Sequence, residues 1–434
     1  MTVLRRFLVA ICVLLSGVAY ALTPGERILL FQGIKPVWQV NFLSAAPYTW
    51  SWNGSAWASN PAGLTYLGAS NKTMFDSTGT LTYAPNNLLT YSNTFTDGAW
   101  QKFNGGITAT GVSDPFGGTS ASTFTATSQY GDVYTTLQYP PGTYIARGYA
   151  RIPSGTRTYY FGEANDRGNR VAVTVGSTWA PYYAVLTLTG TDSVAYFQDR
   201  ATSGFQPIDI YGATLSAVTY ETTPRPGDQV ITTSSAYYGP RFTYSYNGSA
   251  WVPAGLLVEA SSTGNIFINT NVPATQTRTI TNGSAYTVSF WGTGSIVLSG
   301  AASQTMTGAA NTLTTYTFTA GSTSLTATMS GLSSSSNIQL EPGSFATSYM
   351  PTPTASSPGP SRAADVVNEP TYAAKAVIWQ RKSESTGTTA RTYYAPGALP
   401  EPFDTGYYYQ SMAAYPRALT TAEQTPRLVN GAPY

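Results

Sequence analysis

Any chemistry in this chain has to come from its aromatic, arginine and carboxylate side chains. Histidine is absent from all 434 residues, and the one cysteine is Cys12. The commonest general base and metal ligand are therefore both missing. Beyond residue 12 no disulfide, thiolate nucleophile or thiolate metal site can form. A Ser-His-Asp triad is excluded, and no glycine-rich phosphate loop is present. Asp132, Glu163, Asp166, Asp192, Asp199 and Asp209 could supply the carboxylate pair of a glycosidase. No spacing singles out two of them, so the expectation is that the protein is not an enzyme. No metal site or cofactor is implied, although a loop of carboxylates and carbonyls would still suit calcium.

Binding is the chemistry that remains. Aromatics make up 13% of the chain, with 32 tyrosines, and flat aromatic rings are suited to stacking on the C–H faces of sugars. Trp100, Tyr130, Tyr159, Tyr160, Trp179, Tyr182 and Tyr183 sit near turns of the longest β-rich stretch and are the candidate carbohydrate contacts. Neighbours along a strand point to opposite faces, so one member of each Tyr-Tyr pair is expected to face the core. Tyr407-Tyr-Tyr409 could equally pack against another subunit. Two similar strings, Arg225-Pro-Gly-Asp228 and Arg362-Ala-Ala-Asp365, read as structural ion pairs that pin the chain where it leaves a sandwich. A formal net charge of +2 gives no field to steer nucleic acid, which is not an expected partner.

The elements that must carry these residues are strands. Only 10% of residues are charged, against a usual ~25%. Short runs of alternating or β-branched residues recur about every ten positions between turn signals, with no helical periodicity before the last segment. The fold class is therefore all-β, as tandem jelly-roll or β-sandwich modules joined by short hairpin connectors. Arg5, Arg6, the apolar run Phe7–Val18 and Ala19-Tyr-Ala21 read as a signal peptide or a hydrophobic N-terminal segment over 1–21. Residues 22–86 form an N-terminal β connector or attachment region. Residues 87–230 form the first jelly roll, 231–263 a hairpin connector, 264–367 a second, compact sandwich, and 368–434 a tail. The echo between Trp52-Asn-Gly-Ser-Ala-Trp57 and Tyr246-Asn-Gly-Ser-Ala-Trp251 marks two related hairpins turning at Asn-Gly. A short helix is expected over Pro416–Glu423.

Asn87-Leu-Leu-Thr-Tyr-Ser-Asn-Thr-Phe95 with Trp100 resembles the opening of jelly-roll modules in bacteriophage tail and head appendages. Gly255-Leu-Leu-Val-Glu-Ala260 resembles the lead into that opening. Ile338-Gln-Leu-Glu-Pro-Gly-Ser-Phe-Ala-Thr-Ser-Tyr-Met-Pro-Thr352, with Arg362-Ala-Ala-Asp365, resembles the usual close of the same carbohydrate-binding-like modules. Ala414-Tyr-Pro-Arg-Ala-Leu-Thr-Thr-Ala-Glu423 is similar to the end of concanavalin-like lectin domains. These resemblances imply a virion appendage (a tail fibre, head fibre or decoration protein) that attaches to a host-surface glycan. They imply other virion proteins as partners, a homo-oligomer (a trimer) and a place on the virion surface. A scaffold that binds no sugar, or a secreted bacterial adhesin, are the alternatives.

Overall fold

The computed structural model describes residues 38–43, 50–52, 57–59, 65–166, 168–219, 221–225, 229–352, 361–368, 375–400, 402–415, 417–421, 424 and 428. The hydrophobic segment expected over 1–21 lies outside them, as do Asp228 and positions 416, 422 and 423 of the expected Pro416–Glu423 helix; 417–420 are not helical.

The described chain is all-β. Two five-stranded antiparallel sheets make the first sandwich. One runs Ala180–Leu188, Gly142–Arg151, Ile208–Ala217, Ala121–Ala126 and Gly105–Val112. The other runs Arg170–Val175, Arg157–Glu163, Val194–Asp199, Gly131–Thr135 and Trp100–Phe103. Phe124, Phe161, Val175, Tyr196, Ile210 and Leu215 fill the space between them. The second sandwich places four strands (Gln276–Thr279, Ser324–Ser330, Gly294–Gly300, Gln304–Gly308) on three (Leu313–Thr319, Ala285–Trp291, Gln339–Pro342) around Val288, Phe290, Ile296 and Leu340.

A third assembly is built from pieces remote in sequence. The hairpin Arg241–Tyr246/Trp251–Val258 pairs with Tyr407–Tyr415, which pairs in turn with Ala376–Ser383 and, through that strand, with Thr389–Tyr394. Trp38–Asn41 joins the same Tyr407–Tyr415 strand in the register Trp38↔Ala414. The connector hairpin and the C-terminal segment thus share one six-stranded central sheet, packed around Leu256, Val258, Trp379, Tyr409 and Met412. Both sandwiches are inserted between its strands. Gly255, at φ 115°, lets its strand pass against the Tyr409 carbonyl where a Cβ would collide. A second small sheet joins Trp50–Trp52, Trp57–Ser59, Thr65–Leu67 and Val366–Asn368. Both echoed hairpins close on aromatic pairs, Trp52↔Trp57 and Tyr246↔Trp251.

The two sandwiches open and close alike. The Asn87 Oδ1 accepts from the Leu89 and Leu215 amides, and its Nδ2 donates to the Ala213 and Val230 carbonyls. Asn265 repeats the set with Phe267, Leu340, Ile338 and Met350. Ser92 then bonds Thr232 as Thr270 bonds Thr352. Each asparagine is fully buried and ties the first strand, the last strand and the exit of its module into one knot.

The second Arg-x-x-Asp string behaves differently from the expected local pair. Arg362 reaches Glu259 at 3.2 Å, whereas Asp365 binds Lys72 at 2.5 Å and also Arg241. The chain between them is extended, so residues three apart point to opposite sides rather than toward each other. Arg225 pairs with Glu221 at 3.0 Å and bonds Thr82, and its expected partner Asp228 lies outside the described residues.

Lys72, Arg241, Glu259, Arg362 and Asp365 form one buried network, none of them more than 4% exposed. Arg241 bridges Glu259 and Asp365. The Tyr66 hydroxyl and the Glu259 amide donate to Asp365, and Ser348 donates twice to Glu259. Burial pushes both carboxyls up, but Arg241 with Lys72 at Asp365, and Arg241 with Arg362 at Glu259, outweigh it and hold both below the usual range. Such carboxyls stabilise the fold in full above their unfolded values near pH ~4, and the contribution is lost as the pH falls through the folded values. Glu384, pushed up by burial and then by the Glu259 charge, has the opposite sign, so loss on the acid side belongs to Asp365 and Glu259. Asp365→Asn should lower stability at neutral pH by about 3–5 kcal/mol, the usual effect of removing one partner of a buried pair. Denaturant unfolding should show this, and the gap from the parent should narrow as the pH is lowered below about 4.

Candidate functional site

The seven sequence-derived candidates scatter. Trp100 is 2% exposed, packs on Phe95 and Tyr196 at 4.9 and 5.5 Å, and donates its indole N–H to the Tyr91 carbonyl. Tyr159 is 1% exposed and packs on Phe197. Both are core residues, because the alternation of their strands turns them inward, and neither can present a ring to a ligand. Tyr182 packs partly against the same core, its hydroxyl accepting from the Gly176 amide. Tyr160 lies beneath Arg200 on the opposite sheet, and Tyr130 is held at φ 68° with its amide on the Asp199 carbonyl. Only Trp179 and Tyr183 share a surface with each other.

That surface is the outer face of the sheet containing Gly142–Arg151. Along this strand Ala146, Gly148 and Ala150 turn inward and Arg147, Tyr149 and Arg151 outward. Small side chains suffice inside because Phe197 from the opposite sheet reaches across: a Cβ on Gly148 would meet its ring at 3.1 Å. The large residues are thereby placed outside. Register puts Tyr149 opposite Tyr211 on one side and Pro181 on the other, Arg151 opposite Asp209, and Arg147 opposite Tyr183. Tyr149 and Tyr211 have ring centroids 6.2 Å apart, and Phe116 caps both at 5.3 and 5.8 Å. Arg151 covers the Trp179 ring at 5.0 Å and pairs with Asp209 at 2.9 Å, while Thr123 donates to the second Asp209 oxygen.

The loop carrying Phe116 is shaped by Asp114, whose carboxylate accepts from the Phe116 and Gly118 amides and the Ser120 hydroxyl. The Ser120 bond leads in holding the Asp114 carboxyl below its ordinary value. Phe116 is nonetheless 66% exposed, a large apolar ring with no core to enter. At the other end the exit strap closes the face: Gln229 donates to the Gly212 carbonyl, and Ile145, Thr214 and Ser216 beyond it are buried. The result is a bounded aromatic platform edged by guanidinium and carboxylate groups. Tyr149, Tyr211, Phe116, Arg147 and Arg151 are the members that the sequence reading missed, and Asp209 enters as the partner of Arg151 rather than as a catalytic carboxylate.

Elsewhere, Trp291 of the second sandwich packs edge-on against Phe75 and tilted against Trp251, at 4.5 and 6.0 Å, and ties that module to the central assembly. Gly79, at φ 83°, leaves the room that the Trp251 ring occupies. Among the described residues no group of three or more His, Cys, Asp or Glu side chains gathers to hold a metal.

No protein-family model and no curated protein matches the chain. Among solved structures it is similar to the enzymatically active domain of tailspike protein 4 of bacteriophage CBA120, at 12% identity and a TM-score of 0.21. That match covers 30% of this chain and 21% of the tailspike domain. It is also similar to the N-terminal tandem CBM22 domains of Paenibacillus barcinonensis Xyn10C, at 12% identity and a TM-score of 0.25, covering 60% of this chain and 98% of that one.

Core and platform aromatics should separate cleanly by stability. Trp100→Ala should cost about 3–5 kcal/mol in denaturant unfolding. Tyr149→Ala should cost about 1 kcal/mol or less, as a surface change.

Proposed function

We propose that the protein is a carbohydrate-binding attachment protein of a bacteriophage virion, and that its glycan contact is the platform of Tyr149, Tyr211, Phe116 and Trp179 on the first sandwich. The outward-facing aromatic row, capped by the exposed Phe116, is the single observation that carries the reading. A strand with its small residues inside and its large rings outside gains nothing for its own core, and such a face suits a ligand with flat apolar surfaces and hydroxyl edges. The adjacent guanidinium and carboxylate groups supply hydrogen bonds at the rim.

The protein binds rather than cleaves. Glycoside hydrolysis needs two free carboxyls across the sugar, and the two beside the platform are committed, Asp209 to Arg151 and Thr123, Asp114 to its loop. The virion setting rests on the module strings at Asn87–Phe95 and Ile338–Thr352. With it come a place on the particle surface, assembly with other virion proteins and a trimeric state. The second sandwich, with its tryptophan committed to the central assembly, acts as a spacer.

Purified chain on an oligosaccharide array should bind a subset of glycans. Tyr149→Ala, Tyr211→Ala and Trp179→Ala should each weaken binding by roughly 2- to 12-fold, from about 0.5–1.5 kcal/mol per stacked ring, with unfolding midpoints near the parent's. A parent chain that binds nothing on the array, yet is found in purified particles by mass spectrometry, would make it a scaffold. Recovery from bacterial culture medium without particles would make it an adhesin.

A further inference from the structure

The platform carries one cation whose charge no carboxylate answers. Among the arginines of the first sandwich, Arg151 holds Asp209 at 2.9 Å, Arg157 holds Asp199 at 2.7 Å and Arg170 holds Asp132 at 2.7 Å. Arg147 stands on the same face as Arg151, four residues earlier in the same strand, and holds none among the described residues. Its one hydrogen bond is a donation from Nη2 to the Tyr149 hydroxyl at 3.1 Å, and its guanidinium lies 5.4 Å from the centroid of that ring. Its cross-strand neighbour is Tyr183, 42% exposed.

This arrangement holds the guanidinium beside the Tyr149 ring without using its charge. Tyr149 engages one N–H, and the other four donors of the fork have no partner among the described residues. A planar fork beside aromatic rings matches a sugar that offers a ring face and, on the same residue, a carboxylate, which a guanidinium binds through two parallel hydrogen bonds. A neutral sugar would leave the charge unanswered.

We infer that the platform selects acidic glycans, with Arg147 reading the carboxylate of a uronic- or sialic-acid-type residue stacked between Tyr149 and Tyr183. The inference rests on the glycan-binding reading of the same face. Arg147 is a specificity-determining contact, and Arg151, already neutralised by Asp209, is not.

The test uses the full chain on an array in which each acidic oligosaccharide is matched by its carboxyl-reduced counterpart. The parent should bind at least one acidic glycan about tenfold or more tightly than its reduced partner. Arg147→Met, which keeps the apolar stem, should bring that ratio close to unity. Arg147→Lys should restore part of the ratio. Tyr149→Ala should weaken binding to both members of the pair. If the parent binds both members equally, or Arg147→Met keeps the ratio, while Tyr149→Ala still weakens both, the acidic selectivity is overturned and the glycan site stands. If Tyr149→Ala changes neither affinity, or the parent binds neither kind, the platform is not the glycan site and both readings fall.

Discussion

Asp365 is the residue on which the architecture converges. Its two oxygens take bonds from Lys72, Arg241, Tyr66 and the Glu259 amide, groups drawn from the stretch before the first sandwich and the stretch between the two. Asp365 itself lies after the second. Glu259 extends the same cluster to Ser348 and Arg362. Five buried charged side chains are costly to gather unless each is answered. Here the cost is met only when three separated stretches of chain stand in one register. The network therefore acts less as glue than as a condition of assembly.

Around that condition the two sandwiches are variations on one plan. Asn87 and Asn265 make the same four bonds, so the modules are anchored alike whatever they carry. What differs is how side-chain volume is divided between the faces. In the first sandwich Phe197 and Phe161, 4.7 Å apart, fill the interior from one sheet and free the other sheet to display its large residues outward. In the second, the outer four-stranded face shows Thr277, Thr305, Thr307 and Thr328, short side chains with little to offer an apolar ligand. One frame supports an aromatic face and a plain one, and the distribution of ring volume decides which.

Local order was legible in the sequence, and long-range order largely was not. Period-two runs such as Arg170–Val175 and Tyr182–Leu188 lie in strands, and Asn247-Gly248 turns its hairpin, because those signals belong to the segment itself. Pairing of Trp251–Val258 with Tyr407–Tyr415 leaves no local trace, since alternation says that a strand has two faces and not which strand lies beside it. The same gap misled the reading of Arg362 and Asp365, neighbours in the chain whose partners are remote. Trp100 and Tyr159 were chosen by residue type near turns, without the phase that sends them inward. The platform did leave a signal: Ala146-Arg-Gly-Tyr-Ala-Arg151 sets its smallest residues against its largest in strict alternation, and inspection of paired tyrosines alone passes over it.

The register Trp38↔Ala414 has a mechanical meaning. These two positions stand side by side at the same end of an antiparallel pair, one where the described chain enters the central sheet and the other near where it leaves. Tension applied between these two positions opens the pair like a zipper, one hydrogen bond at a time. Both sandwiches sit in the loop that this pair closes, so they lie off the line of force. A drag on the chain would reach the platform only after the central sheet had begun to part.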